Sequence, residues 1–249
     1  MGKTRANYNW KNTGFPVVSH KTTVESITPM FPIVFMDDFL GADLVIPAFG
    51  SAESGCKWVY NDISAAGAPT VAKKADIVNG VIECALAANV EVETVEVNMD
   101  DQLSFSIAQG LIFEARITCS VLPAASAARG VFGMAGVFVA EGAAHRVAFE
   151  ILTGGTINAE CDDAVTDTSA DTGITAVAGT YNIFRIDCTV QTDIKFYIDG
   201  VRVCTGTTFN SASSASNSKM QPYFGMTKTS NAALGTLLCD YVKIFQDRS

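Results

Sequence analysis

The sequence of 249 residues has few of the residues and motifs on which many catalytic sites depend. It contains two histidines, His20 and His145, and no Gly-x-Ser-x-Gly motif, which argues against a serine or cysteine hydrolase with a histidine base. Its seven cysteines include no Cys-x-x-Cys pair, and unpaired cysteines with two scattered histidines do not provide the spacing of a zinc site. Neither kind of site is therefore predicted.

Long hydrophobic runs and a secretion signal are also missing. No segment approaches the ~18 consecutive apolar residues of a membrane-spanning helix, although 48% of the residues are hydrophobic. The first ten residues lack the apolar segment of a signal peptide. We therefore expect no membrane insertion, and we expect the cysteines, which mostly lie in apolar segments, to be small buried residues in a reducing compartment.

Positive charge is scarce and unevenly placed. The chain has 17 Lys and Arg against 26 Asp and Glu, and residues 1–24 hold four of the bases and no acid. The remainder, with 13 bases against 26 acids, is strongly acidic. Because an acidic body repels phosphate and four dispersed bases make no phosphate-binding patch, we expect no nucleic-acid partner.

Short alternating segments fill most of the chain. Large apolar and polar residues alternate near the start, at Val34–Phe39, and again near the end, at Cys239–Phe245. Asp199-Gly200 between Ile194–Ile198 and Val201–Cys204 predicts a β-hairpin with a type I′ turn. No segment has the pattern of a long amphipathic helix. The chain is thus predicted to be all-β, a single antiparallel jelly-roll sandwich whose first and last strands lie side by side.

The other strand candidates are separated by Gly, Asn, Asp, Ser and Pro. They are Lys57–Tyr60, Gly80–Ala87, Val90–Val97, Leu111–Cys119, Gly130–Val139, Val147–Leu152, Phe184–Val190 and Gln221–Lys228. In the third of these, Val90 and Val92 are predicted to face the core and Glu91 and Glu93 the solvent.

The alternation also predicts the domain organisation. Residues 1–32 have no periodicity and contain three prolines, so they are interpreted as an extended N-terminal arm, and residues 33–249 as the sandwich. Such an arm can bind neighbouring subunits through aromatic anchors and basic residues. The candidate partner-binding residues are Tyr8, Trp10 and Phe15 with Lys3, Arg5 and Lys11.

Two groups of polar residues are candidates for ligand binding. Asp162, Asp163 and Asp167 cluster oxygen atoms that could hold Ca²⁺, but they lack the spacing of a dedicated calcium loop, and a solvated acidic loop is the preferred interpretation. Tyr60-Asn61-Asp62 and Tyr181-Asn182 offer the residue types of a lectin site, although they are also ordinary turn residues. No cofactor is predicted.

Catalysis is not predicted. Glycoside hydrolysis needs two carboxylates roughly 5–9 Å apart, and Glu91 and Glu93 have a suitable spacing on one strand. The same alternation is typical of any solvated strand face, and the Glu-x-Asp-x-x-Glu pattern of glucanases is missing. The sequence is therefore interpreted as non-enzymatic, with no catalytic and no metal-binding residue.

Several short motifs occur in an order that is known from one group of proteins. They are Asp37–Gly41, Trp58, Ala65–Pro69, Leu111–Arg116, Phe196–Val201, Gln221–Phe224 and Cys239–Lys243. Together they resemble tailed-bacteriophage virion proteins with a concanavalin-A-like jelly-roll sandwich. The resemblance covers roughly residues 35–247 and leaves the arm outside.

This resemblance implies a capsid decoration or cement protein, often a trimer, that binds the major capsid protein and its own copies. Its expected location is the capsid surface of a virion assembled in the host cytoplasm. The alternative is a carbohydrate-binding, lectin-like module on the head or tail that attaches to glycans through residues such as Tyr60 or Asp163. A glycan-cleaving tail component that uses Glu91 or Glu93 is a third hypothesis.

Overall fold

The structure is a computed structural model, and it describes residues 32–40, 58–74, 80–125, 127–137, 145–211 and 218–248. The predicted arm lies outside these ranges except for Pro32. The candidate partner-binding residues Tyr8, Trp10, Phe15, Lys3, Arg5 and Lys11 therefore all lie outside the described residues, and their role stays a prediction.

The described residues form sixteen β-strands and no α-helix. Two single-turn 3₁₀ helices, Ile107–Gln109 and Thr153–Gly155, connect strands. The strands are β1 Ile33–Asp37, β2 Val59–Ile63, β3 Thr70–Lys73, β4 Ile82–Ala85, β5 Glu91–Asn98, β6 Phe105–Ser106, β7 Ile112–Val121, β8 Ala128–Ala135, β9 Arg146–Ile151, β10 Thr156–Asp162, β11 Asp167–Thr175, β12 Asn182–Asp187, β13 Lys195–Ile198, β14 Val201–Val203, β15 Lys219–Asn231 and β16 Thr236–Gln246.

The strands form two eight-stranded antiparallel sheets that pack face to face. Sheet A has the order β14-β13-β12-β7-β16-β4-β3, with β1 also beside β16. Sheet B has the order β11-β10-β9-β8-β15-β5-β2, with β6 also beside β15. The pairing of β1 with β16, from Ile33 opposite Gln246 to Asp37 opposite Val242, confirms that the first and last strands lie side by side. The predicted all-β sandwich is thus confirmed.

Aromatic side chains join the two sheets in the core. Phe132 and Phe149 of sheet B and Phe184 and Phe196 of sheet A are fully buried and lie in a chain of ring contacts with Phe209, at centroid separations of 4.7–5.8 Å. Most of these contacts are edge-to-face, the arrangement that aromatic quadrupoles favour. The inward positions of the alternating strands therefore specify the core.

The turn that follows β1 is held by hydrogen bonds to the carboxylate of Asp37. Its carboxylate accepts the backbone N–H of Phe39 at 2.9 Å and the indole N–H of Trp58 at 3.0 Å. Phe39 adopts a positive φ of 53° and is fully buried against Trp58. Asp37-Asp38-Phe39 therefore ends β1 and is anchored to the core through Trp58.

Several predictions of single elements are confirmed or corrected by the strand assignment. The Asp199-Gly200 hairpin is confirmed, with φ values of 49° and 80° at its two turn residues. The strands β3, β6, β10 and β11 were not predicted. The segment from Glu160 to Asp171 was expected to be an acidic loop, which is wrong, because it forms the ends of β10 and β11 and the short turn between them.

The predicted facing of β5 is also wrong. Glu93 shares its face with Val95 and Val97, and this is the core face. Its carboxylate lies 3.2 Å from the ammonium group of Lys228, and both side chains are fully buried. Val90 and Val92, which were expected to be buried, are exposed. Val95 and Val97 are fully buried in the core, and alternate residues of a strand point to the same face, so Glu93 points to the core as well.

Six cysteines are described, and all six are free thiols. Five of them are buried, as predicted, and Cys204 is half-buried. Burial raises the pKa of the described thiols, for example that of Cys161 to about 12. A reducing compartment stays a prediction. Among the described residues there is no helix long and apolar enough to cross a membrane.

Candidate functional site

The outer face of sheet B carries two rows of polar residues that cross the whole sheet. The first row, from β2 to β11, is Asn61, Glu96, Gly225, Val131, Glu150, Asn158 and Asp171. The second row contains Tyr223, Gly133, Ala148, Glu160 and Ser169 from β15 to β11, with Asn98 at its β5 end. An outer sheet face normally exposes its polar side chains, yet most of these are buried.

Between the β2 and β11 ends of these rows, the outer face consists mainly of small residues, Gly225, Gly133 and Ala148, which we call the floor of the site. These three residues carry little or no side chain, and the ring of Tyr223 packs with Ala148 and Val131 in a small apolar cluster apart from the main core. Gly133 has a φ of 154°, and a Cβ atom there would collide with the backbone of Val147 and Ala148. The floor therefore depends on a glycine that no larger residue can replace without strain.

One end of the floor is bounded by a carboxyl pair and an arginine. Arg146 of β9 forms an ion pair with Glu160 of β10, and Arg129 lies 3.6 Å from Glu150. Burial, followed by the charge of Glu150 and a hydrogen bond with it, raises the pKa of Glu160 to about 7, although Arg146 opposes the shift. The negative charge of a neighbouring carboxyl group disfavours ionisation, so Glu160 keeps its proton to a higher pH than an exposed glutamate does.

The same charges act on Arg146 and Tyr223. Burial opposes the charge of Arg146, but Tyr223, Glu160 and Glu150 outweigh it and raise the pKa of the guanidinium above its ordinary value. Burial raises the pKa of Tyr223 well above its ordinary value, and the negative charges of the neighbouring glutamates act in the same direction. The tyrosine hydroxyl therefore stays protonated and able to donate.

The opposite end of the floor is bounded by Glu96, Asn98 and Asn61. Burial raises the pKa of Glu96 to about 8, the amide of Asn98 lowers it, and Asp101 raises it further. Glu96 and Glu150 are three strands apart in one row, which places their Cα atoms roughly 14 Å apart at about 4.8 Å for each strand. The floor is thus bounded by protonatable carboxyl groups at both ends.

Several buried polar atoms on this face lack a well-formed hydrogen bond. Among them are the side-chain nitrogens of Asn61 and Asn98 and the Oε2 atom of Glu160. The Asn98 nitrogen lies beside the carboxyl group of Glu96, and Glu160 lies beside the carboxyl groups of Glu150 and Asp167, so a shared proton or an external donor is needed there. Leaving a buried polar group unpaired costs about 1–3 kcal/mol, so these atoms mark a place for a hydroxyl-bearing ligand or water.

The two predicted lectin motifs fall on different faces. In Tyr60-Asn61-Asp62, only Asn61 lies on the outer face of sheet B, since Tyr60 packs toward the core and Asp62 accepts a hydrogen bond from Ser64. Tyr181 lies on the outer face of sheet A, where the guanidinium of Arg116 stacks 4.2 Å above its ring. Asn182, at the start of β12 with the parity of the buried Phe184 and Ile186, donates to Asp199 at 2.7 Å.

The residues considered for catalysis and calcium binding have structural partners. The carboxylate of Glu91 accepts the backbone N–H groups of residues 65–67, and Glu93 pairs with Lys228 inside the sandwich. The interpretation of Glu91 and Glu93 as a solvent-facing carboxylate pair is therefore wrong.

The candidate calcium ligands lie at the turn between β10 and β11. Asp163 accepts the N–H groups of Val165 and Thr166, and Asp162 accepts that of Ala164 at 2.8 Å. Within the described ranges no group of three or more His, Cys, Asp or Glu residues is arranged to hold a metal ion. Calcium binding by Asp162, Asp163 and Asp167, the less favoured interpretation of the sequence, stays untested.

The sequence analysis did not single out the residues of the sheet B face. Arg146 and Glu150 have the same parity in β9, opposite to the buried Val147, Phe149 and Ile151. That parity could have placed both on the outer face. The pairing of Glu150 with Glu160 depends on the register of β9 with β10, a strand that was not predicted.

Comparison with known proteins identifies the fold. No family model matches the chain, and no curated protein matches it in sequence. A protein of unknown function from Shewanella oneidensis MR-1 has a TM-score of 0.56 and 15% identity, covering 88% of this chain and 87% of that chain. A GH16 protein of a Bacteroides ovatus mixed-linkage glucan PUL, in complex with a G4G4G3G product, also scores 0.56 at 15% identity, covering 84% and 99%.

A third similar structure is the carbohydrate recognition domain of Emp47p. Its TM-score is 0.51 at 8% identity, covering 81% of this chain and 94% of that chain. At these identities the likeness shows the fold alone. It confirms the predicted concanavalin-A-like jelly-roll sandwich, and it leaves the resemblance to phage virion proteins as a prediction.

The comparison corrects the prediction that the chain is not an enzyme. That prediction is wrong, because the same sandwich occurs in a GH16 glycoside hydrolase solved with its product. The argument used the absence of one linear motif, whereas this chain brings Glu150 and Glu160 together from two strands. A missing linear motif therefore does not exclude catalysis on this fold.

Proposed function

We propose that this chain is a carbohydrate-binding protein and that it holds a sugar on the outer face of sheet B. The observation that carries the proposal is the buried, unpaired amide nitrogen of Asn61, with the Asn98 nitrogen and Glu160 Oε2 on the same face held only by neighbouring carboxyl groups. A sugar hydroxyl both donates and accepts hydrogen bonds, so it can pair with two amide nitrogens and one carboxyl oxygen. The ligand would thereby remove a cost that the unliganded protein carries.

The surroundings of these atoms support the same ligand class. Tyr223 provides a ring at the centre of the face, and the glutamates at both ends offer the hydrogen-bonding groups that orient a polar ligand. Two structures that share the fold, the GH16 protein with its product and the Emp47p domain, come from carbohydrate proteins, which supports a sugar as ligand.

A glycan array followed by calorimetric titration of the best-binding oligosaccharide tests the proposal. Asn61→Leu keeps the size of the side chain and removes the unpaired amide, so it should weaken binding about tenfold or more, the equivalent of one lost hydrogen bond in a dry site. Gln102→Leu is the matched control, since Gln102 is exposed and makes only a weak bond of 3.4 Å to its own turn.

Two results would contradict this function. If the full chain binds no glycan on the array, carbohydrate is not its ligand. If Asn61→Leu binds the oligosaccharide with an unchanged dissociation constant, the outer face of sheet B is not the binding site. The same titrations with Glu160→Gln separate the roles of the two ends of the floor, because glutamine keeps the acceptor and loses the shared proton.

The virion location and the capsid role belong to a finer proposal that rests on the sequence resemblance. In that proposal the arm attaches the domain to the major capsid protein or to neighbouring copies, with a trimer favoured. Deletion of residues 1–30 should leave a soluble, folded protein that no longer binds capsids. Unchanged capsid occupancy by the truncated protein, measured by co-sedimentation, would contradict it.

A further inference from the structure

The outer face of sheet A carries an open concavity that the proposal above does not use. It is lined by Glu114 of β7, Ile183 and Arg185 of β12, and Asp199 and Gly200 at the turn between β13 and β14. Glu114 lies directly opposite Arg185 in the sheet, and Arg185 lies directly opposite Tyr197. Two strands and a hairpin turn therefore meet at one concavity.

Each polar side chain of this concavity is held in place by another group. Asp199 accepts the backbone N–H of Ile183 at 2.8 Å and the side-chain amide of Asn182 at 2.7 Å. Glu114 accepts the hydroxyl of Tyr241 at 3.1 Å. Groups fixed before a ligand arrives lose little conformational entropy when it binds.

Arg185 is held by stacking and not by an ion pair. Its guanidinium lies 4.0 Å above the centre of the Tyr197 ring, and across the described part of the chain it makes no ion pair. Its Nε atom is buried and has no hydrogen-bond partner. The other basic residues of this face differ, since Arg116 pairs with Asp240 and Arg202 lies near Asp193. Arg185 thus keeps unused hydrogen-bond donors beside the concavity.

The hairpin turn leaves the other wall of the concavity open. Gly200 has a φ of 80°, and a Cβ atom there would meet nothing within 4 Å. A ligand can therefore approach the backbone of the turn. Ile183, 39% exposed, provides an apolar surface between the two carboxylates.

The charges select among ligand classes. Two carboxylates against one guanidinium disfavour phosphate and other anions, which argues against a nucleic acid or an acidic glycan. Two carboxylates are also fewer oxygen donors than a calcium site needs. Neighbouring hydroxyl groups suit the set, because each can donate to Glu114 or Asp199 while its oxygen accepts from Arg185.

We infer that this concavity is a second carbohydrate site, which takes one neutral sugar residue through neighbouring hydroxyl groups bound by Glu114, Arg185 and Asp199. The inference rests on the proposed function for its ligand class, but it uses different residues on the opposite face of the sandwich. Two sites on opposite faces would let one protein link two glycan chains, or bind one surface with increased avidity.

Calorimetric titration of the full chain tests this with three probes: a mixed-linkage glucan tetrasaccharide, chitotetraose and tetragalacturonate. The expected result is two sites for at least one neutral probe. Arg185→Met keeps the stacked stem and removes the donors, so it should leave one site and weaken the other about tenfold or more. The acidic probe should bind the sheet A site about tenfold more weakly than the neutral probe, because the lining carries net negative charge.

Lys195→Met is the control, because Lys195 lies on the same face outside the concavity and pairs with Asp193 at 3.7 Å. One site in the full chain, with titration unchanged by Arg185→Met, would overturn the inference and leave the proposed function standing. A single site lost in Arg185→Met and kept in Asn61→Leu would support the inference and refute the sheet B site. No binding of any probe would overturn both.

Discussion

The two outer faces of this sandwich use polar residues in opposite ways. On sheet B the polar side chains are buried, the carboxyl groups have raised pKa values, and several polar atoms lack a well-formed hydrogen bond. On sheet A the polar side chains around the concavity are partly exposed, and their carboxylates are satisfied by neighbouring groups. The carboxyl groups are thus buried with raised pKa values on one face and partly exposed and hydrogen-bonded on the other, while Arg185 on sheet A also has a buried, unpaired Nε atom.

This difference shows where a ligand would contribute to stability. Buried unpaired groups make the unliganded sheet B face a net cost, so binding there should raise the stability of the whole domain. On sheet A the solvent already screens the charges, and substitutions should change binding with little effect on folding. Stability measurements on the two faces can therefore test the comparison.

The largest effect is expected from Arg146→Met. The change leaves Glu150 and Glu160 buried without the cation that pairs with Glu160, and breaking a buried ion pair costs about 3–5 kcal/mol. The matched change on sheet A, Arg202→Met, removes an exposed pair with Asp193 and should cost about 0.5 kcal/mol or less. Urea unfolding of both variants checks the comparison, and equal losses would contradict it.

The next effect is the dependence of stability on pH. Glu160 and Glu96 have pKa values of about 7 and about 8 in the folded protein, against an ordinary value of 4.5. The folded state therefore binds more protons than the unfolded state between these values. Their stabilising contribution is complete below the ordinary pKa and is lost as the pH rises through 7 and 8.

Urea unfolding measured at several pH values should thus show the unfolding free energy falling by a few kcal/mol, on the order expected for such shifts, from acidic to alkaline pH. Glu96→Gln should flatten this dependence, because it removes one of the two groups. Glu114→Gln on sheet A should leave the dependence as it is. A stability that is flat or rises over this range would refute the description of the buried carboxyl groups.

A smaller effect of opposite sign is expected from Asn61→Leu. Without ligand, the variant should be more stable than the original protein by about 1 kcal/mol, since a buried unpaired amide is replaced by an apolar group of similar size. Thermal unfolding checks this, with Gln102→Leu as the control. A clear loss of stability would mean that the Asn61 amide has a structural partner in the unliganded protein.

The smallest effect on stability is expected from Arg185→Met. Because the Arg185 side chain is only partly buried and makes no ion pair among the described residues, the unfolding free energy should change by about 0.5 kcal/mol or less. Sugar binding on sheet A should nevertheless fall. A loss of about 2 kcal/mol or more, the size typical of buried groups, would identify Arg185 as a structural residue instead.

Much of the fold can be predicted from the sequence because the alternation of side chains is local information. The Asp199-Gly200 hairpin and the pairing of the first and last strands follow from such patterns. The acidic strand β11, Asp167–Thr175, escapes prediction because it is an edge strand with almost no buried side chain. Its strand conformation depends on hydrogen bonding to β10, and the residue pattern within β11 gives no sign of that pairing.

The site could be predicted only in part, for a related reason. Asn61 was noticed as a lectin-type residue, and Tyr223 was noticed as part of a motif, but nothing in the sequence brings them together. Glu150 and Glu160 meet only through the register of β9 with β10. The failure of the non-enzymatic prediction has the same origin, since a search for one linear motif cannot find carboxyl groups paired across strands.

The side-chain amide signals of Asn61 and Asn98, followed by NMR during titration with the best-binding oligosaccharide, test the central claim most directly. These amides are buried and unpaired without ligand, so the account predicts that both signals shift and that their exchange with water slows as the sugar binds. Saturation of the protein with sugar while both amide signals stay unchanged would contradict the assignment of the outer face of sheet B as the binding site.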